Sequence, residues 1–137
     1  MSAVKELLRN EADGSISFGN HTLAAKEKLE DFKHEGDLYK VKTFGEMTKL
    51  EKNGMFVYES VPGTSVNNFK ETEAGVSFKA EGAEDAQITL GLADETEYEV
   101  FVAGESVGKM KTNLGGKLSV SVELAGAGQV EVEVKKA

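Results

Sequence analysis

EYEVFVAGESVGKMKTNLGGKLSVSVELAGAGQVEVEVKK, the stretch from Glu97 to Lys136, reads as strands separated by short turns. Tyr98, Val100 and Val102 alternate with Glu97, Glu99 and Phe101. Leu118, Val120, Val122 and Leu124 alternate with Ser119, Ser121 and Glu123, and Val130, Val132 and Val134 alternate with Glu131 and Glu133. Successive side chains of a strand point to opposite faces, so a period of two gives one apolar and one wetted face. The stretch therefore predicts antiparallel sheet lying on a core, and it names no chemistry.

The same grammar extends upstream. Asp13-Gly14 and Asn53-Gly54 are hairpin signals, because these residues tolerate the positive φ of a tight turn, and Pro62-Gly63 closes a further strand. Turn signals at intervals of about eight to twelve residues are those of a sandwich or barrel. The sequence thus predicts an all-β chain: a single β-sandwich domain over 1–137, immunoglobulin-like or jelly-roll-like, with about nine to eleven strands. An N-terminal hairpin is expected within 1–20 and regular antiparallel strands over 66–136. Residues 22–32 carry Leu23, Ala24, Ala25, Leu29 and Phe32, a spacing that suits one short helix and is also compatible with two strand fragments.

Composition narrows the function. The chain has 137 residues, a formal net charge of -8, no Cys and no Trp, and Arg9 is its one arginine. Nucleic-acid affinity rests on Lys and Arg neutralising phosphates, so DNA and RNA are not expected partners. Without Cys there are no disulfides, thiolate nucleophiles or Cys-based zinc sites. No apolar run has the length of a signal peptide or a membrane span, so the expected location is cytoplasmic with no membrane association. A Gly-rich phosphate loop and a Gly-x-Ser-x-Gly elbow are both missing, and neither a cofactor nor a catalytic residue is assigned.

Three runs carry two resemblances. Val100 to Val120, from Val-Phe-Val-Ala-Gly-Glu through Lys-Thr-Asn-Leu-Gly-Gly, is similar to a phrase of bacterial immunoglobulin-like β-sandwich modules. Together with Lys49 to Glu59 and Val61 to Phe69, it makes the whole chain resemble short bacterial proteins, some labelled endosialidase. The first resemblance implies a sandwich that works through its loops or edges; the second implies a protein that acts on glycans. Sialidases hold the substrate carboxylate with several Arg forks, a chemistry one arginine cannot supply.

His21 and His34 are the two imidazoles. His34 lies among Asp31, Glu35 and Asp37, a group that can offer mixed ligands to a divalent ion but also reads as a charged loop. Asp94, Glu95 and Glu97 could offer hard oxygen ligands but lack EF-hand spacing, and read first as the exposed acidic entrance of a strand. Phe101 is out of phase with Val100 and Val102, so it should leave their face. Tyr58 and Phe56 are two apart and should share a face. With Asn67 and Asn68, these aromatics form the expected interaction surface. The expected function is a non-enzymatic interaction or structural module for an unknown protein or a second copy of the chain. The alternative is a carbohydrate-binding module or glycan-acting protein, which would expose Tyr39, Tyr58 or Tyr98 beside Asn67 or Asn68.

Overall fold

The computed structural model describes residues 3–137; Met1 and Ser2, which open the region of the expected N-terminal hairpin, lie outside the described residues. Thirteen strands follow in order: β1 (Leu8–Asn10), β2 (Ile16–Phe18), β3 (Glu27–His34), β4 (Asp37–Phe44), β5 (Met47–Lys52), β6 (Met55–Val61), β7 (Ser65–Thr72), β8 (Gly75–Glu81), β9 (Ala86–Gly91), β10 (Glu97–Val102), β11 (Glu105–Lys111), β12 (Lys117–Val122) and β13 (Val130–Lys136). They form a seven-stranded sheet, β1-β2-β7-β8-β13-β10-β11, and a six-stranded sheet, β12-β9-β6-β5-β4-β3. Every pairing is antiparallel. The all-β sandwich expected from the sequence is the architecture found.

The alternating apolar residues meet between the sheets. Phe18, Phe69, Phe78, Val100, Val132 and Val134 come from one sheet, and Val41, Leu50, Tyr58, Ile88, Leu90, Leu118 and Val120 from the other. Burying a side chain of this size contributes about 1.5–3 kcal/mol. Tyr58 sits at the centre, edge-on to Phe18 and Phe78 with ring centroids 5.2 and 5.6 Å apart. Such T-shaped contacts set the positive edge of one ring on the negative face of the next.

No helix forms among the described residues, and 22–32 is the clearest correction. Leu29 pairs with Val41 and Phe32 with Tyr39, with a bulge between the two pairs. Val41 and Tyr39 both face the core, so the extra residue brings Leu29 and Phe32, three apart, to one face. A spacing that resembles a helix thus arises in a strand.

The connection from β6 to β7 carries the chain between sheets through a cis Val61–Pro62 bond and Gly63. A Cβ on Gly63 would lie 1.9 Å from the Phe44 carbonyl oxygen, so only glycine fits. Thr64, next along, is buried in a chain of hydroxyls. Its Oγ1 is 2.8 Å from both Tyr58 Oη and Ser60 Oγ, and its carbonyl accepts from Thr48 Oγ1 at 2.8 Å. Thr48 Oγ1 is in turn 2.8 Å from Thr43 Oγ1, which accepts the Asn20 backbone N–H. Each buried hydroxyl is thereby satisfied, as a dry interior requires.

Candidate interaction surface

The outer face of the six-stranded sheet follows from register. Lys28 on β3 pairs with Lys42 on β4, which pairs with Lys49 on β5. Three ammonium-bearing side chains therefore stand in one row, one per strand, at the roughly 4.8 Å interval of neighbouring strands. Like charges directly opposite one another are destabilising, and the row stands on a chain of net charge -8. Lys28 is relieved by Glu30 at 3.6 Å. Neither Lys42 nor Lys49 has a salt-bridge partner among the described residues.

Different chemistry flanks the row on each side. Toward one end of the strands stand Glu30, Lys40 and Glu51, with Lys40 Nζ 3.5 Å from Glu30. The Lys40 and Lys28 ammoniums hold the Glu30 carboxyl below its usual range. Toward the other end, Phe44 pairs with Met47, and Val61 beyond them is 56% exposed. Basic and apolar rows thus run side by side across the sheet.

Phe56 belongs to this face and Tyr58 does not. Leu50 pairs with Tyr58 but Glu51 pairs with Phe56, so Val57 is an extra residue in β6. The bulge sends the two aromatics to opposite faces, which corrects the expectation that they share one. Phe56 is half-buried, with Lys117 Nζ 4.6 Å from its ring centroid. Tyr58 is in the core and cannot meet a partner. Tyr39 and Tyr98 are buried as well, at 5% and 2% exposure, so the tyrosine platform envisaged for glycan stacking does not form.

The remaining expected surface residues are dispersed over the other sheet. Phe101 pairs with Glu133 on the outer face, as its phase predicts, but it is half-buried with Lys135 Nζ 5.8 Å from its centroid. Asn67 is buried and accepts from Gln129 Nε2 at 2.8 Å. Asn68 is tied to β2, donating from its backbone to Ser17 Oγ and from Nδ2 to Ser15 Oγ.

No family model, curated protein or solved structure matches this chain.

Both histidines are held by neutral groups. His21 Nδ1 is 2.7 Å from Ser65 Oγ, a distance that suits a nucleophile and its base, but Ser65 is fully buried and also accepts the His21 backbone N–H. That pair clamps a turn. His34 Nδ1 is bonded to Asn10 Oδ1, and the segment read as a charged loop is the β3–β4 hairpin, with His34 opposite Asp37. Asp94 and Glu95 are exposed in the turn before β10, which Glu97 opens. Among the described residues no three His, Asp or Glu side chains gather as a metal site, and no helix is long and apolar enough to cross a membrane.

The lysine row was missed at the sequence level although a signal existed. Lys40 and Lys42 alternate with Tyr39 and Val41, and a two-residue turn at Gly45-Glu46 places Lys42 opposite Lys49. Counting back across that turn finds the pair; Lys28 is hidden by the bulge in β3.

Proposed function

We propose that the protein is a non-enzymatic β-sandwich interaction module that docks an acidic, partly apolar segment of a partner protein on the outer face of its six-stranded sheet. The observation that carries this reading is the row Lys28, Lys42 and Lys49, beside the apolar row Phe44, Met47 and Val61; Glu59 stands opposite Lys49 in register, but among the described residues neither Lys42 nor Lys49 is within ion-pair distance of a carboxylate. Repulsion within the row costs stability in the free protein and is relieved when carboxylates lie along it. An acidic glycan matches the charge but offers less to the apolar row, which favours a peptide. The resemblance to immunoglobulin-like modules supports the same reading, since such scaffolds act through surfaces and loops.

Fluorescence anisotropy with a labelled peptide of Glu and Asp interspersed with Leu and Val tests the proposal. Saturable binding should weaken about tenfold or more in Lys42→Gln/Lys49→Gln, as expected when charge-assisted hydrogen bonds are removed, and should weaken as salt is raised. Equal affinity of wild type and double variant would remove the lysine row from the reading. Binding of an acidic oligosaccharide in place of the peptide would transfer it to glycans.

A further inference from the structure

Where the β1–β2 turn meets the β3–β4 turn and the C-terminal half of β7, a cleft of about 220 Å³ opens at one end of the sandwich, on residues other than the lysine row of the sheet face. Pockets for drug-sized ligands measure about 300–1,000 Å³. This one has room for a single functional group on a short chain.

Its walls present more acceptors than donors. Asn10 Nδ2 donates to the Lys33 carbonyl, which turns Asn10 Oδ1 toward His34 Nδ1. A proton on Nδ1 satisfies that bond, and in the tautomer that carries its proton there Nε2 is an acceptor. His34 is 9% exposed and its Nε2 has no partner among the described residues. Tyr39, 5% exposed, also lines the cleft, and its hydroxyl has no hydrogen bond among the described residues. Burial, followed by the Glu71, Asp37 and Glu35 carboxylates, pushes its pKa up to about 12, so the phenol stays neutral.

The charges are unevenly spent. Lys52 is shared between Asp37 at 3.9 Å and Glu71 at 3.6 Å. Lys70 donates to the Asp13 carbonyl at 3.4 Å, and the Asp13 carboxylate is taken by the Ser15 N–H and hydroxyl. Glu35 has no ion-pair or hydrogen-bond partner among the described residues, and its Oε2 lies 3.2 Å from the point where Gly14 would carry a Cβ. The cleft therefore holds four carboxylates against two ammoniums, one carboxylate unengaged, and two polar atoms, His34 Nε2 and Tyr39 Oη, that open into it with no hydrogen-bond partner among the described residues.

We propose that this cleft binds a primary alkylammonium group, with Glu35 as its counter-charge and His34 Nε2 and Tyr39 Oη as hydrogen-bond acceptors. An ammonium carries three donors and no acceptor, which matches what the walls lack. A free small amine and the side chain of a partner's lysine share this chemistry.

Titration calorimetry of the full chain with cadaverine, and separately with a blocked lysine peptide, tests the proposal and distinguishes those sources. Saturable binding of either probe is expected, weakened about tenfold by Glu35→Gln and severalfold by Tyr39→Phe, in line with hydrogen bonds to a charged group. Lys42→Gln, on the sheet face, should leave it unchanged. Glu35 is exposed in a turn, so its variant should keep the wild-type melting temperature; Tyr39→Phe removes only an unpartnered hydroxyl. Failure of both probes to bind, or affinity unaltered in Glu35→Gln, would overturn the proposal. So would pentanol binding as tightly as cadaverine.

Discussion

Thr64 is a small residue with several duties. Its side chain serves Tyr58 and Ser60, while its peptide group exchanges bonds with Thr48 through the carbonyl and, at 3.1 Å, the N–H. Thr64→Val keeps the shape and both backbone bonds but leaves the Tyr58 and Ser60 hydroxyls without their partner. A buried polar group left unsatisfied costs about 1–3 kcal/mol, so urea unfolding of this variant should show a loss of that order. An unchanged midpoint would mean that the two hydroxyls find other partners. Nothing in the spacing of Thr43, Thr48, Ser60 and Thr64 marks them as a group. They meet because strands from two hairpins converge on a crossover, and a sequence shows no such convergence.

Strands were legible wherever the period of two was unbroken, as in β12, which pairs with β9 across six residues without a shift. Bulges are where reading failed. In β3 one extra residue puts Leu29 and Phe32 on a common face; in β6 another puts Phe56 and Tyr58 on different faces. A third, between Asn67 and Lys70 in β7, lets Val66 and Phe69 both reach the core and leaves Asn68 at a φ of 56°. One residue inverts the face of everything beyond it, and neither composition nor local propensity announces where it falls. The lysine row is a product of register in the same way, and it has an energetic signature of its own. Replacing the middle charge, Lys42→Gln, should raise the stability of the free protein by about 0.5 kcal/mol by relieving both neighbours. Thermal melts at low and high salt measure this: the gain should shrink as salt rises. A loss of stability would mean that the lysine stem contributes more by packing than its charge costs.

Across the whole molecule, alkaline pH should weaken the fold through its tyrosines. Burial raises the pKa of Tyr58, and burial with nearby carboxylates takes Tyr39 to about 12 from the ordinary value of 10.0. Above pH 10 the unfolded chain gives up phenolic protons that the fold retains, so stability falls as pH rises from about 10 toward 12. Below pH 10 both states hold these protons and the contribution is constant. Urea midpoints across that window should decline, and less steeply in Tyr39→Phe. Identical slopes in the two proteins would show that Tyr39 does not take part.

The order of strands in the larger sheet bears on how the chain is born. β13, residues 130–136, lies between β8 and β10, and among the described strands it alone joins the group β1-β2-β7-β8 to the hairpin β10–β11 within the sheet. During translation the twelve other described strands emerge first, while the facing edges of β8 and β10 wait beside an open slot shaped for a strand. Unpaired strand edges of this kind invite wrong partners on crowded ribosomes. Protection of the nascent chain is thus most needed just before β13 clears the exit tunnel.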